Sequence, residues 1–280
     1  MTLEATINCD CGESFGQWSL GDDEGLFPIV DIANLACGFH GGDFDVMRKT
    51  VELAKKHNVG IGSHPSLPDQ QGFGRRVMVM EPASFFNAIL YQQGALTAYL
   101  KLAGIQQTHI KPHGQVKRFS LAHAYIMSSK DIDLARQSAK VAKLYDLPLL
   151  GLPGSAHEEA CKEEGVEFIA GGLPFLLPLP HHVVAYLSLP TEWYADLQYS
   201  DDAKLLPPAS AAHRTPITGE QTRGMLETST WLSLAGQTCK FPEGTKKISI
   251  CVHGDFPGAV EVAKAVRRAI DDVKNGVPAQ

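Results

Sequence analysis

The chain has no run of basic residues: 25 Lys and Arg stand against 31 Asp and Glu, a net charge of −6 over 280 residues. A body of that sign repels phosphate backbones, which argues against a nucleic-acid partner. Long apolar runs are also missing. The most apolar window, Leu173 to Leu189, is broken by Pro174, Pro178, Pro180, His181 and His182, so a membrane span is not expected. Cysteines number six, too thinly spread for a disulfide scaffold, and reduced thiols are expected. The segment Met1-Thr2-Leu3-Glu4 lacks the basic and apolar stretches of an export signal, so a cytoplasmic location is expected. The 26 Gly and 17 Pro follow no short period, which argues against a collagen-like chain. There is no G-x-x-x-x-G-K-[ST] loop and no G-x-G-x-x-G after a strand, which argues against a standard P-loop or Rossmann nucleotide site.

What is present suits a folded α/β protein. Apolar residues make up 44% of the chain, enough to bury a core. Seven apolar, β-branched runs bounded by Gly or Pro read as buried strands: 5–9, 32–37, 59–62, 108–111, 147–152, a sixth at 193–195 or 166–169, and 248–252. Helical stripes alternate with them. They are Met47, Val51 and Ala54 behind a capping Asp43; Phe86, Ile89, Gln93, Leu96 and Leu100 behind Pro82; Ile132, Ala135, Ala139 and Ala142; and Ala263, Val266, Ile270 and Val273 behind Pro257. Alternating strands and helices predict parallel βαβ units, and continuous apolar strands predict a sheet covered on both faces. The expectation is one domain over residues 1–280, a closed or nearly closed α/β barrel.

Polar residues collect just past the strand ends. Asp10 and Glu13 follow the first, His40 and Asp43 the second, His64 the third, Lys111 and His113 the fourth, Asp196 the sixth, and His253 and Asp255 the seventh. In a parallel barrel these ends share one mouth, where active sites sit. Neutral imidazoles and carboxylates there are ligands for a divalent ion, or general acids and bases acting on a carbonyl, and either chemistry fits hydrolysis of an amide-like bond. Asp43 and Asp255 precede helices, where N-capping is the expected role. Cys9, Cys37 and Cys251 read as small buried residues. His57, His109, His123, His157, His181, His182 and His213 have no strand-end placement and are assigned no role. Two loops, Gly72-Phe73-Gly74-Arg75-Arg76 and Gly151-Leu152-Pro153-Gly154-Ser155, have the backbone or guanidinium groups to hold an anion, or are plain turns.

Five segments, NCDCGESF at 8–15, ANLACGFHGGD at 33–43, GSHPSLPDQQGFGRR at 62–76, HIKPHG at 109–114 and CVHGDFPG at 251–258, resemble the LamB/YcsF family. The resemblance implies a (β/α)7 barrel of the glycoside hydrolase/deacetylase type. It also implies ATP-dependent opening of 5-oxo-L-proline, or a related lactam, to the amino acid, in company with 5-oxoprolinase B and C type subunits. Fungal members of the family are linked to lactam utilisation. The family's motif positions carry over to Asp10, Glu13, His40, Asp43, His64, Asp69, Arg75, Lys111, His113, Asp196, His253 and Asp255. On this reading Asp10, Glu13, His113 and Asp196 are catalytic, and His40, His64, Arg75, Lys111, His253 and Asp255 bind substrate. A divalent metal, if used, would fall to Asp10, His40 and His64. ATP enters as the cofactor that the family implies.

The chain departs from the family pattern in four places. The fourth motif continues as Gln115-Val116-Lys117-Arg118 where the family has ALYN. The FADRAY motif has Leu197 in place of its Arg. Pro207-Pro208 replaces a later Pro-Arg, and residues 171–191 read as an insertion of roughly twenty residues. Two other functions remain open: a metal-dependent deacetylase or amidohydrolase that needs no ATP, and a non-catalytic subunit that binds the lactam while a partner does the chemistry.

Overall fold

The computed structural model of the protein describes residues 2–76, 78–114, 128–170, 191–199, 205–206, 216–241 and 245–278. In chain order the elements are β1 (Glu4–Cys11), α1 (Asp23–Leu26), β2 (Ile32–Ala36), α2 (Phe44–His57), β3 (Gly60–His64), α3 (Pro82–Ala103), β4 (Gln107–Ile110), α4 (Ile132–Leu144), β5 (Leu149–Gly151), α5 (Ala156–Glu164), β6 (Phe168–Ala170), β7 (Thr191–Tyr194), β8 (Gln198–Tyr199), β9 (Leu205–Leu206), α6 (Gly219–Thr228), β10 (Thr230–Leu232), β11 (Thr238–Lys240), β12 (Lys247–His253) and α7 (Ala259–Lys274).

Strand β1 is buried without a break from Ile7 to Cys11. Only a strand covered on both faces keeps that pattern. It lies between β2 and β12 in an eight-stranded sheet of order β6-β5-β4-β3-β2-β1-β12-β7. Every pairing in that sheet is parallel. The two edge strands, β6 and β7, touch each other, so the sheet curls into a nearly closed α/β barrel of the TIM-like kind. The expected fold class is therefore what forms. One detail is corrected: a single sixth strand was expected at 193–195 or at 166–169, and both places form one. Each finds its own edge, β6 against β5 and β7 against β12. The insertion expected at 171–191 and the altered stretches at 115–118 and 207–208 lie outside the described residues, apart from Thr191 at the start of β7.

The helices follow their stripes and caps. Asp43 caps α2, accepting from the backbone N–H groups of Asp45 and Val46, and Met47, Val51 and Ala54 face inward. In α7 the residues Val262, Ala263, Val266, Ala269 and Ile270 form one buried face. Helix α3 spans both halves of the apolar core. Phe85 and Ile89 pack with Ile110 and Leu149, whereas Leu96 and Leu100 pack with Ile61 and Val51. Phe85, one position before the expected Phe86, is the fully buried ring. All six cysteines are free thiols. Among the described residues no helix is long and apolar enough to cross a membrane.

Below the mouth the barrel holds a polar layer. Asn8 Nδ2 donates to Ser249 Oγ at 2.8 Å, Asn34 Nδ2 to Asn8 Oδ1 at 2.9 Å, and the His109 ring meets Asn34 Oδ1 at 2.7 Å. The His109 ring fits because residue 62 has no side chain: a Cβ there would stand 2.2 Å from His109 Cε1. Gly62→Ala is therefore expected to cost about 1–3 kcal/mol by overpacking. Gly224→Ala, inside α6 with nothing within 4 Å of the added carbon, is expected to stabilise by up to about 1 kcal/mol. Urea unfolding of the two variants checks both signs.

Candidate active site at the barrel mouth

The predicted strand-end residues do converge. Lys111, just past β4, is fully buried and donates to Asp10 Oδ1 at 3.0 Å and to Glu192 Oε1 at 2.9 Å. Asn34 Nδ2 donates to the same Asp10 oxygen at 2.8 Å. The other oxygen, Oδ2, faces His64 Nε2 at 3.5 Å and His253 Nε2 at 3.7 Å. Burial alone would raise the Asp10 pKa. The Lys111 ammonium, helped by His64 and His253, outweighs it and holds the carboxyl well below the ordinary carboxylate range. Lys111 gains in return: burial works against its charge, yet Asp10, Cys251 and Glu192 push its pKa above the usual lysine value.

On one side of Asp10 stands a dyad. His253, at the end of β12, directs Nδ1 at both oxygens of Asp196, each at 2.9 Å. The ring stacks on Tyr194 with centroids 5.3 Å apart, and the Tyr194 hydroxyl donates to Glu192 Oε2 at 2.6 Å. Burial opposes charging His253, but Asp196, then Asp10 and Asp255, prevail and raise its pKa. Asp196 thus fixes a proton on Nδ1 and leaves Nε2 facing Asp10 Oδ2 at 3.7 Å.

On the other side are three imidazoles and Glu13. His64 Nδ1–H donates to the Lys111 carbonyl at 2.7 Å, and His113 Nε2–H donates to the Phe73 carbonyl at 2.9 Å. Carbonyls only accept, so these bonds place a proton on the outer nitrogen of each ring. The inner nitrogens, His64 Nε2 and His113 Nδ1, then face each other at 3.1 Å. Two lone pairs at that distance require a third party, an extra proton or a cation. His40 lies flat against His113, ring centroids 3.7 Å apart, with Nε2 3.3 Å from Glu13 Oε1. Burial, then the neighbouring imidazoles, push the pKa of both His40 and His113 well down and keep them neutral. Burial, reinforced by Asp10 and Asp255, pushes Glu13 well up.

The ligand atoms of Glu13, His40, His64 and His113 all lie within 4.8 Å of one another, and so do those of Asp10, Cys251 and His253. The expected metal trio is thereby divided: His40 and His64 sit in the first group and Asp10 in the second. Arg75, partly exposed at the rim, stands 3.8 Å from Asp255 and over the Phe73 ring. The N-cap expected of Asp255 does not form. Helix α7 begins later, with Gly258 at its N-cap. Asp69 turns inward on its own loop, accepting from the backbone of Gly72 and Arg76 and from the Arg76 guanidinium, so that loop's N–H groups are engaged internally. Ser155 caps α5. Sequence reasoning missed Glu192, Asn34 and His109, although a charged or amide side chain inside an apolar strand is itself a sign of an inward polar contact.

The chain matches a model of the LamB/YcsF family over residues 5–173 and 184–279. It is 35% identical over 270 residues to the lactam utilization protein lamB of Emericella nidulans, covering 96% of this chain and 95% of that one. It is 36% identical over 271 residues to an A-type 5-oxoprolinase subunit of Thermus thermophilus, covering 96% of each. The crystal structure of a lactam utilization protein from Thermus thermophilus superposes with a TM-score of 0.77 at 32% identity, over 97% of this chain and 98% of that one.

Removing the Lys111 charge leaves Asp10 and Glu192 uncompensated. Lys111→Met is expected to cost about 3–5 kcal/mol at pH 7. The pKa of Asp10 is depressed in the native protein, so its contribution is present above the unfolded value and lost as pH falls. In the variant the Asp10 carboxyl, still buried but without the ammonium that holds it ionised, accepts its proton at higher pH, so the gap to wild type narrows between about pH 7 and pH 4. Denaturant unfolding at several pH values measures it.

Proposed function

We propose, for a chain that belongs to the LamB/YcsF family, that the barrel mouth binds a small cyclic amide and takes part in its hydrolytic opening, as the A-type component of a 5-oxoprolinase. The observation that carries this reading is the Asp196–His253 dyad, whose Nε2 faces Asp10 Oδ2 across 3.7 Å at the strand ends. In the proposal His253 accepts the proton of the attacking water at Nε2 and returns it to the ring nitrogen as the C–N bond breaks. Asp196 keeps the ring oriented and supports its charge. Lys111 holds Asp10 ionised, and Asp10 in turn stabilises the imidazolium. Arg75, the guanidinium at the rim beside Asp255, is suited to the carboxylate of a 5-oxoproline ring.

A lactam carbonyl is a poor electrophile. ATP, used together with B and C type subunits, would activate it by passing its γ-phosphoryl group to the carbonyl oxygen with release of ADP, and that group would depart as inorganic phosphate when water opens the ring to the amino acid. The relatives carry the names of an A-type 5-oxoprolinase subunit and a lactam utilization protein, which support this substrate class and the need for partners. A nucleotide-independent amidohydrolase is the second reading, favoured by the imidazole cluster beside Glu13.

The test is an assay of the purified chain on 5-oxoproline and simple lactams, with and without ATP, divalent metal and partner subunits. Turnover is expected only with partners and ATP, and Asp196→Asn and Asp10→Asn are expected to lower kcat by roughly 10²–10⁴-fold. Turnover by the chain alone with metal and no nucleotide selects the amidohydrolase. Asp10→Ala and His113→Ala variants that keep full turnover overturn the assignment of the mouth.

A further inference from the structure

We propose that Glu13, His40, His64 and His113 form a binding site for one divalent transition-metal ion of the zinc class. The first argument is the confrontation at 3.1 Å between His64 Nε2 and His113 Nδ1. The outer nitrogens are committed as donors to the Lys111 and Phe73 carbonyls, so with both rings neutral the inner nitrogens present lone pairs to each other, with Asp10 Oδ2 a further 3.5 Å from His64 Nε2. Outer N–H groups donating to backbone carbonyls are the usual support of metal-binding histidines, because they fix the tautomer and the ring.

The second argument is spacing. Metal bonds of about 2.0–2.2 Å put the corners of a tetrahedron about 3.3–3.6 Å apart. The two close pairs of this group, at 3.1 Å and 3.3 Å, fall at or just under that edge, and all four residues stay within 4.8 Å. The third is that His40 Nδ1 has no hydrogen-bond partner among the described residues, so no bond at that nitrogen restrains the ring from bringing Nε2 onto an ion. The fourth is selectivity. Three imidazoles and one carboxylate suit zinc and its neighbours, whereas magnesium and calcium take oxygen ligands.

The alternative group, Asp10, Cys251 and His253, is a poorer host. The Lys111 ammonium lies 3.0 Å from Asp10 Oδ1 and 3.8 Å from Cys251 Sγ, so a dication there would meet a buried cation. The inference is independent of the lactam reading, since it concerns binding and not turnover.

The full-length protein is stripped with a chelator and dialysed against Zn²⁺ or Co²⁺. Bound metal is counted by mass spectrometry, and the Co²⁺ form is read by its visible absorption. About one ion per chain is expected, with the intense bands of a tetrahedral nitrogen-rich site. Glu13→Gln and His113→Gln are expected to weaken binding by roughly 100-fold or more while circular dichroism stays unchanged. Glu13→Gln is near-isosteric and keeps the test valid if the histidine variant does not fold. Cys251→Ser is expected to retain the metal. Substoichiometric binding by wild type, full retention by both ligand variants, equal competition by Mg²⁺, or loss in Cys251→Ser alone would each overturn the proposal.

Discussion

The ammonium of Lys111 sits where water cannot reach it. Taking such a charge out of solvent costs several kcal/mol unless good partners meet it. They come from elsewhere in the sheet: Asp10 from β1 and Glu192 from β7, both within 3.0 Å. Strand β4 is three places from β1 in the sheet order and approaches β7 only through the closure between β6 and β7. The ion cluster is therefore satisfied only when the barrel has curled shut. Closure of the fold and the electrostatics of the site are one interaction, and the shared carboxylate is Asp10.

That arrangement explains a contrast at the mouth. Asp10 is held ionised while His40 and His113, a few ångströms away, are held neutral. In a low-dielectric interior a single cation decides which groups keep charge. Lys111 supports the carboxylate that it touches, and burial discharges the imidazoles that it does not. Asp10 Oδ2 marks the border between the two halves, with His64 on one side and His253 on the other. One half holds the hydrogen-bonded Asp196–His253 pair and the other the imidazoles of His40, His64 and His113 beside Glu13.

How much of this could be read beforehand depended on position along each strand. His40, His64, His113, His253 and Asp196 were legible because a parallel barrel delivers every strand end to one mouth, whatever its order in the chain. Asn34, His109 and Glu192 were not, because they lie within strands, and whether such a residue points into the barrel depends on register and pleat that one sequence does not reveal. His109 illustrates the difficulty: it has a place only because Gly62 on the neighbouring strand leaves one. Asp255 misled for a different reason. Proximity to a helix pattern suggested a cap, but Pro257 and Gly258 delay the start of α7, and the Asp255 carboxylate lies 3.8 Å from Arg75.

The loop over the imidazoles shows what holding this site ready costs. Phe73 adopts a left-handed backbone, φ 55°, followed by Gly74 at φ 64°. A bulky residue in that region costs on the order of 1 kcal/mol or more. The strain aims the Phe73 carbonyl at His113, and Gly74 must lack a side chain because a Cβ would come within 2.9 Å of both His113 and His40. Asp69 offsets the strain from beneath by gathering the Gly72 and Arg76 N–H groups and the Arg76 guanidinium. A loop built only for stability would relax Phe73. Retaining the strain fixes the tautomer of His113 in advance and leaves its Nδ1 facing His64 Nε2.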